Sequence, residues 1–194
     1  MKFTCAILAG GRSRRMGRDK ATLRVTDKAL IQQVYDKAKL VFRDIVIVSN
    51  HHQGFYGIDV PIIRDVIPVR SSMVGIVSAL MAAKSPYVFI LACDMPFVSR
   101  EAMEYLLTQV HGEDIIVPCT KYGYEPLHAI YNRSCIPFML THIERQHLKV
   151  RDLFPYLSVN EVEDHSTFIH KGMPVFTNIN VQEDLSLVRR LVTG

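Results

Sequence analysis

The sequence has no apolar run that approaches the roughly 18 residues needed for a membrane-spanning helix. Apolar stretches such as Ile45–Val48 are short and bounded by polar residues. Lys2 is followed only by a brief apolar segment that ends at Gly10, so the pattern of a secretory signal peptide is missing. These absences predict a cytoplasmic protein that does not bind a membrane.

Cysteine is scarce, with four residues, and no two of them form a CxxC pair. The eight histidines show no metal-ligand spacing of the HExxH type, and no GxSxG motif is present. A cysteine-based zinc site, a disulfide framework and a serine nucleophile are therefore not indicated. Cys5 and Cys93 lie in apolar runs and are expected to be small buried side chains.

Excess charge is confined to one short segment. Five basic residues and one acidic residue lie between Arg12 and Lys20, which equals the net charge of +4 of the whole chain. A nucleic-acid-binding protein usually spreads its basic residues along a face. The concentration in one segment instead favours a compact polyanion, such as a nucleoside triphosphate, and argues against nucleic acid as a partner.

The order of periodic segments predicts the fold. Short apolar runs predict strands at 3–8, 44–49, 60–63, 87–92, 114–118, 127–131 and 176–178. Helical spacing predicts helices at 29–41, 72–84, 99–110, 135–145 and 181–191, with Ser99 as an N-cap. Such alternation predicts a three-layer α/β/α, Rossmann-like architecture with a mostly parallel sheet. No linker divides the chain, so residues 1–194 are expected to form a single domain.

The segment Leu8–Lys20 leaves the first predicted strand directly. Its glycines allow the backbone to turn and approach a ligand, while Arg15 and Lys20 are suited to phosphate oxygens. The segment matches neither the Walker pattern nor the G-x-G-x-x-G fingerprint, because Gly10 and Gly11 are adjacent. The alternative is a solvated basic loop, but glycines and cations together after a core strand favour a phosphate site.

Asp94 ends the predicted strand at 87–92, at the edge of the sheet where ligands bind in α/β proteins. Magnesium often takes one or two carboxylates together with substrate phosphates, so Asp94 is a candidate metal ligand. The other interpretation is a turn aspartate before Pro96.

Three further polar residues lie at or just beyond the ends of predicted strands. Asp65 could accept hydrogen bonds from a base or ribose, or pair with Arg64 or Arg70. Asn180 comes directly before the helix predicted at 181–191, so a role as its N-cap explains this residue well. Capping explains Asn178 less well.

Four segments together resemble the molybdenum cofactor guanylyltransferases, a branch of the nucleotidyltransferases. The segments are LAGGxSxRMGxDK at 8–20, ACDMP at 92–96, EPLHAIY at 125–131 and FTNINVQEDL at 176–185. The family often carries GPLAG where this chain has SSMVG at 71–75, a region that helps to choose the base. The start Leu8–Gly11 matches the guanine form, since relatives that use CTP tend to carry LAAG there.

The resemblance implies a role for each matching residue. Leu8, Ala9 and Gly10 would contact the nucleotide, and Gly11, Arg15 and Lys20 would surround its phosphates. The resemblance also implies that Asp65 lies in the nucleotide site, that Asp94 binds Mg²⁺, and that Asn178 and Asn180 lie near the reacting groups and the pterin. Arg15, Lys20 and Asp94 would be the catalytic residues. The N-terminal half would bind the nucleotide and the C-terminal half the acceptor.

The implied activity is transfer of GMP from GTP to molybdopterin, with Mg²⁺ as cofactor and release of pyrophosphate. Proteins that mature molybdoenzymes are a further class of partner that the resemblance suggests. Two other functions fit the same residues. One is a nucleotidyltransferase with another base or acceptor, such as CTP with a pterin or a nucleotide with a sugar phosphate. The other is a GTP-binding regulator without catalysis.

Overall fold

The computed structural model describes residues 2–10, 28–51, 55–163 and 165–179. Within these ranges a mixed sheet has eight strands, ordered β3-β2-β1-β4-β7-β5-β6, with β8 paired to β5. The strands are β1 (Phe3–Leu8), β2 (Asp44–Val48), β3 (Ile62–Ile63), β4 (Tyr87–Ala92), β5 (Ile115–Thr120), β6 (Gly123–Tyr124), β7 (His128–Asn132) and β8 (Val159–Glu163).

The centre of the sheet is parallel and buried. β1 lies between β2 and β4, and all six residues of β4 are buried. Strands covered on both faces read as continuous apolar runs, which is why the sequences of β1, β2 and β4 lack alternation. Their carboxyl ends meet at one edge, because Leu8 is in register with Val48 on one side and with Ala92 on the other.

Four helices cover the two faces: α1 (Leu30–Ala38), α2 (Ser72–Ala82), α3 (Arg100–Thr108) and α4 (Ile136–Glu144). One apolar cluster joins α1 and α3 to one face of the sheet, and a second joins α2 and α4 to the other. The predicted three-layer α/β/α architecture is therefore confirmed. Ser99 caps α3 as predicted, since its Oγ accepts a hydrogen bond from the Ala102 N–H at 3.1 Å. No described helix has the length and apolar character required to cross a membrane.

The second half of the chain departs from the prediction in its details. β7 runs antiparallel to both β4 and β5, so the sheet is parallel only on one side of β4 and again where β5 meets β8. Sequence reasoning missed β6, β8 and a hairpin of β9 (Ile169–His170) and β10 (Met173–Pro174). It also missed the 3-10 helices Arg133–Cys135, Val150–Tyr156 and Ser166–Phe168.

The strand predicted at 176–178 is wrong. No neighbouring strand pairs with this segment in the part of the chain that the structure describes. Instead the Ile179 N–H donates to the carbonyl of Asp94 at 3.0 Å, and Phe176 is buried in the core. The apolar residues that suggested a strand are thus explained by packing of an irregular segment. The helix predicted at 181–191 lies outside the described residues.

His128 on β7 is fully buried, and neither ring nitrogen has a hydrogen-bond partner among the described residues. Its ring makes edge contacts with Phe89 and Phe176, each at a centroid distance of 5.2 Å. Burial lowers the pKa of His128 to about 3, because removal from solvent disfavours the charged imidazolium. The folded protein therefore contains a neutral imidazole at neutral pH.

We expect His128→Leu to remove part of the pH dependence of stability. Below the ordinary histidine pKa, the imidazole of His128 is protonated in the unfolded chain. In the folded chain it stays neutral down to about pH 3. The wild-type free energy of unfolding should thus lose roughly 1.4 kcal/mol per pH unit in this window relative to the variant. Urea unfolding between pH 4 and pH 7 measures this difference. His142→Leu, on the outer helix α4, serves as the control; parallel curves for His128→Leu and wild type would contradict the assignment.

Candidate functional site

A cavity of about 470 Å³ opens at the edge of the sheet where β1, β2 and β4 end. Residues that follow these strands line it, together with residues from the start of α2. The lining comprises Leu8, Gly10, Val48, Ser49, Asn50, His51, Asp65, Arg70, Ser71, Ser72, Gly75, Ala92, Cys93, Asp94 and Leu127. Leu8, Gly10, Asp65 and Asp94, four of the residues singled out in the sequence, are therefore brought together in one cavity.

The turn that leaves β1 is fixed by backbone hydrogen bonds on both sides. The Ala9 N–H donates to the Val48 carbonyl at 2.9 Å, and the Leu8 carbonyl accepts from the Cys93 N–H at 3.1 Å. Ala9 is buried in the core rather than in the cavity lining, so any ligand contact by Ala9 must come from its backbone. A Cβ at Gly10 would project into open space. Gly11, Arg15 and Lys20 lie outside the described residues.

Asp94 follows β4 and lines the cavity opposite the turn after β1. Its carbonyl accepts the hydrogen bond from Ile179, which brings the preceding residue Asn178 to the same loop. Asn178 does not line the cavity, and its Oδ1 is buried without a partner among the described residues. An acceptor buried in this way is costly unless a ligand or a water satisfies it. Asn180 lies outside the described ranges.

Asp65 is positioned by Asn50 across the carboxyl ends of β2 and β3. The Asn50 Nδ2 donates to Asp65 Oδ2 at 2.7 Å, and the Asp65 N–H donates to Asn50 Oδ1 at 3.1 Å. Burial raises the pKa of Asp65, and the hydrogen bond from Asn50 partly offsets the effect. These contacts orient an acceptor group at the end of the cavity away from β4.

Sequence reasoning missed Asn50 as a site residue. The signal was available, because Asn50 follows β2 in the same way as Asp94 follows β4. It considered Arg70 only as a partner of Asp65, whereas Arg70 also lines the cavity, and it missed the structural role of Ser71, whose Oγ accepts from the Val74 N–H and caps α2. Gly75 places α2 against β1, and a Cβ there would lie 3.4 Å from two carbons of the Leu8 side chain, at the near limit of ordinary van der Waals contact.

The residues present fit a single hard metal ion whose ligands come partly from the protein and partly from the phosphate oxygens of a substrate. The described residues contain no group of three or more histidine, cysteine, aspartate or glutamate side chains able to hold a metal by themselves. Asp94 supplies one carboxylate at the cavity wall. Magnesium sites that use substrate phosphates need only one or two such carboxylates.

The fold and the strand-end cavity are those of a nucleotidyltransferase. The family model for MobA-like NTP transferase domains matches residues 5–161, and the chain belongs to this family.

Full-length relatives agree with the family assignment. The chain is 34% identical over 185 residues to the molybdenum cofactor guanylyltransferase of Desulfosudis oleivorans, covering 94% of this chain and 92% of the relative. It is 33% identical over 190 residues to a probable molybdenum cofactor guanylyltransferase of Pelotomaculum thermopropionicum, with coverages of 97% and 93%.

Solved structures show the same architecture. The molybdopterin-guanine dinucleotide biosynthesis protein A of Archaeoglobus fulgidus superposes with a TM-score of 0.84 at 27% identity, covering 98% of both chains. A 2-C-methyl-D-erythritol 4-phosphate cytidylyltransferase of Thermus thermophilus superposes with a TM-score of 0.74 at 16% identity over the whole of both chains, a likeness of fold alone.

We expect Asn50→Ala to weaken nucleotide binding by a few-fold to about tenfold, because Asp65 loses the two hydrogen bonds that orient it. Isothermal titration with GTP measures the change. Asn160→Ala is the matched control: Asn160 lies on β8 and its side-chain amide donates to the Gln109 carbonyl at the end of α3, and neither residue lines the cavity. Unchanged GTP affinity in Asn50→Ala would contradict a role for this pair in the site.

Proposed function

We propose that this protein transfers GMP from GTP to the terminal phosphate of molybdopterin, forming the guanine dinucleotide cofactor and releasing pyrophosphate. The observation that carries the proposal is the single cavity shared by the turn after β1 and Asp94. It occurs in a chain whose relatives of similar length are called molybdenum cofactor guanylyltransferases.

The oriented carboxylate of Asp65 supports guanine as the base. Guanine presents two adjacent N–H donors at N1 and N2, and a carboxylate offers two acceptor oxygens without a donor. Cytosine instead presents a donor beside an acceptor on the corresponding edge, so it matches a carboxylate less well. A site built to accept specific N–H groups discriminates strongly against bases that lack them.

Asp94, together with phosphate oxygens of the substrate, would hold Mg²⁺ in this cavity. The ion, when bound, would neutralise negative charge on the triphosphate and on the leaving pyrophosphate. Asp94 is suited to the task because β4 fixes the backbone on its N-terminal side and the hydrogen bond from Ile179 fixes its carbonyl.

The reaction needs little help from a base. An oxygen of the acceptor phosphate, already ionised at neutral pH, forms a bond to the α-phosphorus of GTP. The bond between the α-phosphorus and its bridging oxygen breaks, and pyrophosphate leaves with the electron pair. The chain must chiefly overcome repulsion between two polyanions, a role that the sequence motif assigns to Arg15 and Lys20.

Asn178 fits a role on the acceptor side. Its buried Oδ1 lies in the segment that is tied to Asp94 and has no hydrogen-bond partner among the described residues. An N–H or O–H group of the pterin substrate would satisfy it. In this arrangement the nucleotide lies against β1, β2 and β3, and the acceptor approaches from the side of the second half of the chain.

We expect Asp94→Ala to lower Mg²⁺-dependent release of pyrophosphate from GTP and molybdopterin by about 100-fold or more, the usual cost of losing one such electrostatic contact. Asp59→Ala, an exposed carboxylate in a loop, should retain wild-type turnover. Undiminished release by Asp94→Ala would remove Asp94 from the reaction. Release that prefers CTP, or a sugar phosphate as acceptor, would replace the proposed substrates, and tight GTP binding with no release would indicate a regulator.

Asp65→Asn should alter the choice of base. The amide replaces one acceptor oxygen by a donor that faces the donors of guanine, so GTP affinity should fall about tenfold or more. CTP affinity should change less. Titration of both nucleotides into the variant and into Asp59→Asn measures the ratio of affinities, and an equal loss for GTP and CTP would show that Asp65 does not contact the base.

A further inference from the structure

A second cavity, of about 270 Å³, lies between α1, the loop that follows Asp94 and the β9–β10 hairpin. It shares no lining residue with the nucleotide cavity. Its walls are formed by Lys28, Gln33, Asp36, Lys37, Pro96, Phe97, His170 and Lys171. Of its lining residues only Pro96 belongs to one of the family motifs, and the reaction proposed above makes no use of this cavity.

Cations from two separate elements converge on this cavity. Lys37 of α1 is half-buried and donates to the Pro96 carbonyl at 3.1 Å. Lys171 comes from the tip of the hairpin, and its charge, together with burial, lowers the pKa of Lys37. Burial and the charges of Lys37 and Lys171 likewise lower the pKa of His170, which supplies a neutral imidazole beside them. Bringing like charges together costs free energy that a bound anion would recover.

The nearby carboxylates do not neutralise this pair of lysines. Asp36 lines the cavity but is engaged by Lys28 at 2.7 Å and by Lys39 at 2.8 Å. Glu101, in the first turn of α3, partly offsets these effects: it raises the pKa of Lys37 by less than burial and Lys171 lower it, and it raises the pKa of His170 by less than burial and Lys37 lower it. Within the described part of the chain, neither Lys37 nor Lys171 forms an ion pair with a carboxylate.

The hairpin fixes Lys171 in an unusual backbone conformation. Lys171 has φ of 52° and Gly172 has φ of 75°, the left-handed pair found in tight two-residue hairpin turns. Asn, Asp or Gly is the common residue at the first of these positions, because the left-handed conformation is sterically less favourable for a residue with a longer side chain. A lysine at this position, near the half-buried Lys37 of α1, is explained if both bind one ligand.

We propose that this cavity, which we call the lysine cavity, binds a small phosphate anion of the size of orthophosphate or pyrophosphate. The two ammonium groups of Lys37 and Lys171 would bind its oxygens, and an N–H of His170 would donate a further hydrogen bond. The volume of about 270 Å³ accommodates such an anion. The loop that follows Asp94 forms one wall, so an anion here would contact the segment that carries the proposed metal ligand from its opposite side.

Titration of the ¹⁵N-labelled protein with orthophosphate and, separately, with pyrophosphate tests the proposal. Amide signals of Lys37, Phe97 and Lys171 report on the lysine cavity, and those of Gly10 and Asp65 report on the nucleotide cavity. We expect the first set to shift saturably with a Kd below about 1 mM for at least one of the two anions. The stronger of the two identifies which anion the cavity takes.

A pair of double variants separates a built site from general charge attraction. Lys37→Gln/Lys171→Gln should weaken the shifts at Phe97 at least about tenfold, since it removes two charge-assisted contacts. Lys121→Gln/Lys149→Gln makes the same change in net charge at exposed lysines elsewhere and should leave them unchanged. Equal weakening in both variants, or no saturation at Phe97 in the wild type, would overturn the proposal. Either outcome leaves the GMP-transfer proposal untouched, because that proposal rests on Gly10, Asp65 and Asp94.

Discussion

The in-register parallel pairing of β1 with β4 is the constraint on which the rest of the structure depends. Six consecutive residue pairs, from Phe3 with Tyr87 to Leu8 with Ala92, make the two strands end together. The turn after Leu8 and the loop bearing Asp94 therefore leave the sheet at the same level, linked by the hydrogen bond from Cys93 to Leu8. A slip of one residue would reverse the faces of one strand and separate these two loops.

Helices packed on both faces of the sheet stabilise the pairing of β1 with β4. Both faces of β4 are covered, by α1 and α3 on one side and by α2 and α4 on the other. The covering extends to the segment that ends in Asn178 and Ile179, which has little regular structure but places Phe176 against His128 in the core. Within the described residues, the buried side-chain nitrogen and oxygen atoms that lack a hydrogen-bond partner belong to His128 and Asn178. The free-energy cost of burying polar atoms without hydrogen bonds therefore falls on residues in, or packed against, the segment that reaches Asp94. This is expected where function competes with stability.

The sequence predicted the parallel half of the fold well because its signals are local. Buried strands such as β4 read as apolar runs, and Ser99 marks the start of α3 through its own hydroxyl. The position of Asp94 at the cavity followed from the rule that strand ends in such sheets meet at one edge. The second half was harder to predict. β8 pairs with β5 across some forty residues, and its sequence VNEVE has too few apolar residues to predict a strand.

The misreading of 176–178 has the same origin. A short apolar segment packs equally well as a strand or as an irregular chain, and only the tertiary contact with Asp94 decides between them. Asn50 was overlooked because a single asparagine after a strand is common in turns, and its meaning appears only when Asp65 is seen beside it. The lysine cavity depends on a hairpin and a helix far apart in the chain, which no local pattern could bring together.

A crystal structure of the protein with GTP and Mg²⁺ tests the central claim most directly. The account predicts the triphosphate between the turn after β1 and Asp94, with the guanine edge on the Asp65 carboxylate. A nucleotide bound elsewhere, or one whose phosphates lie away from Asp94, would contradict it.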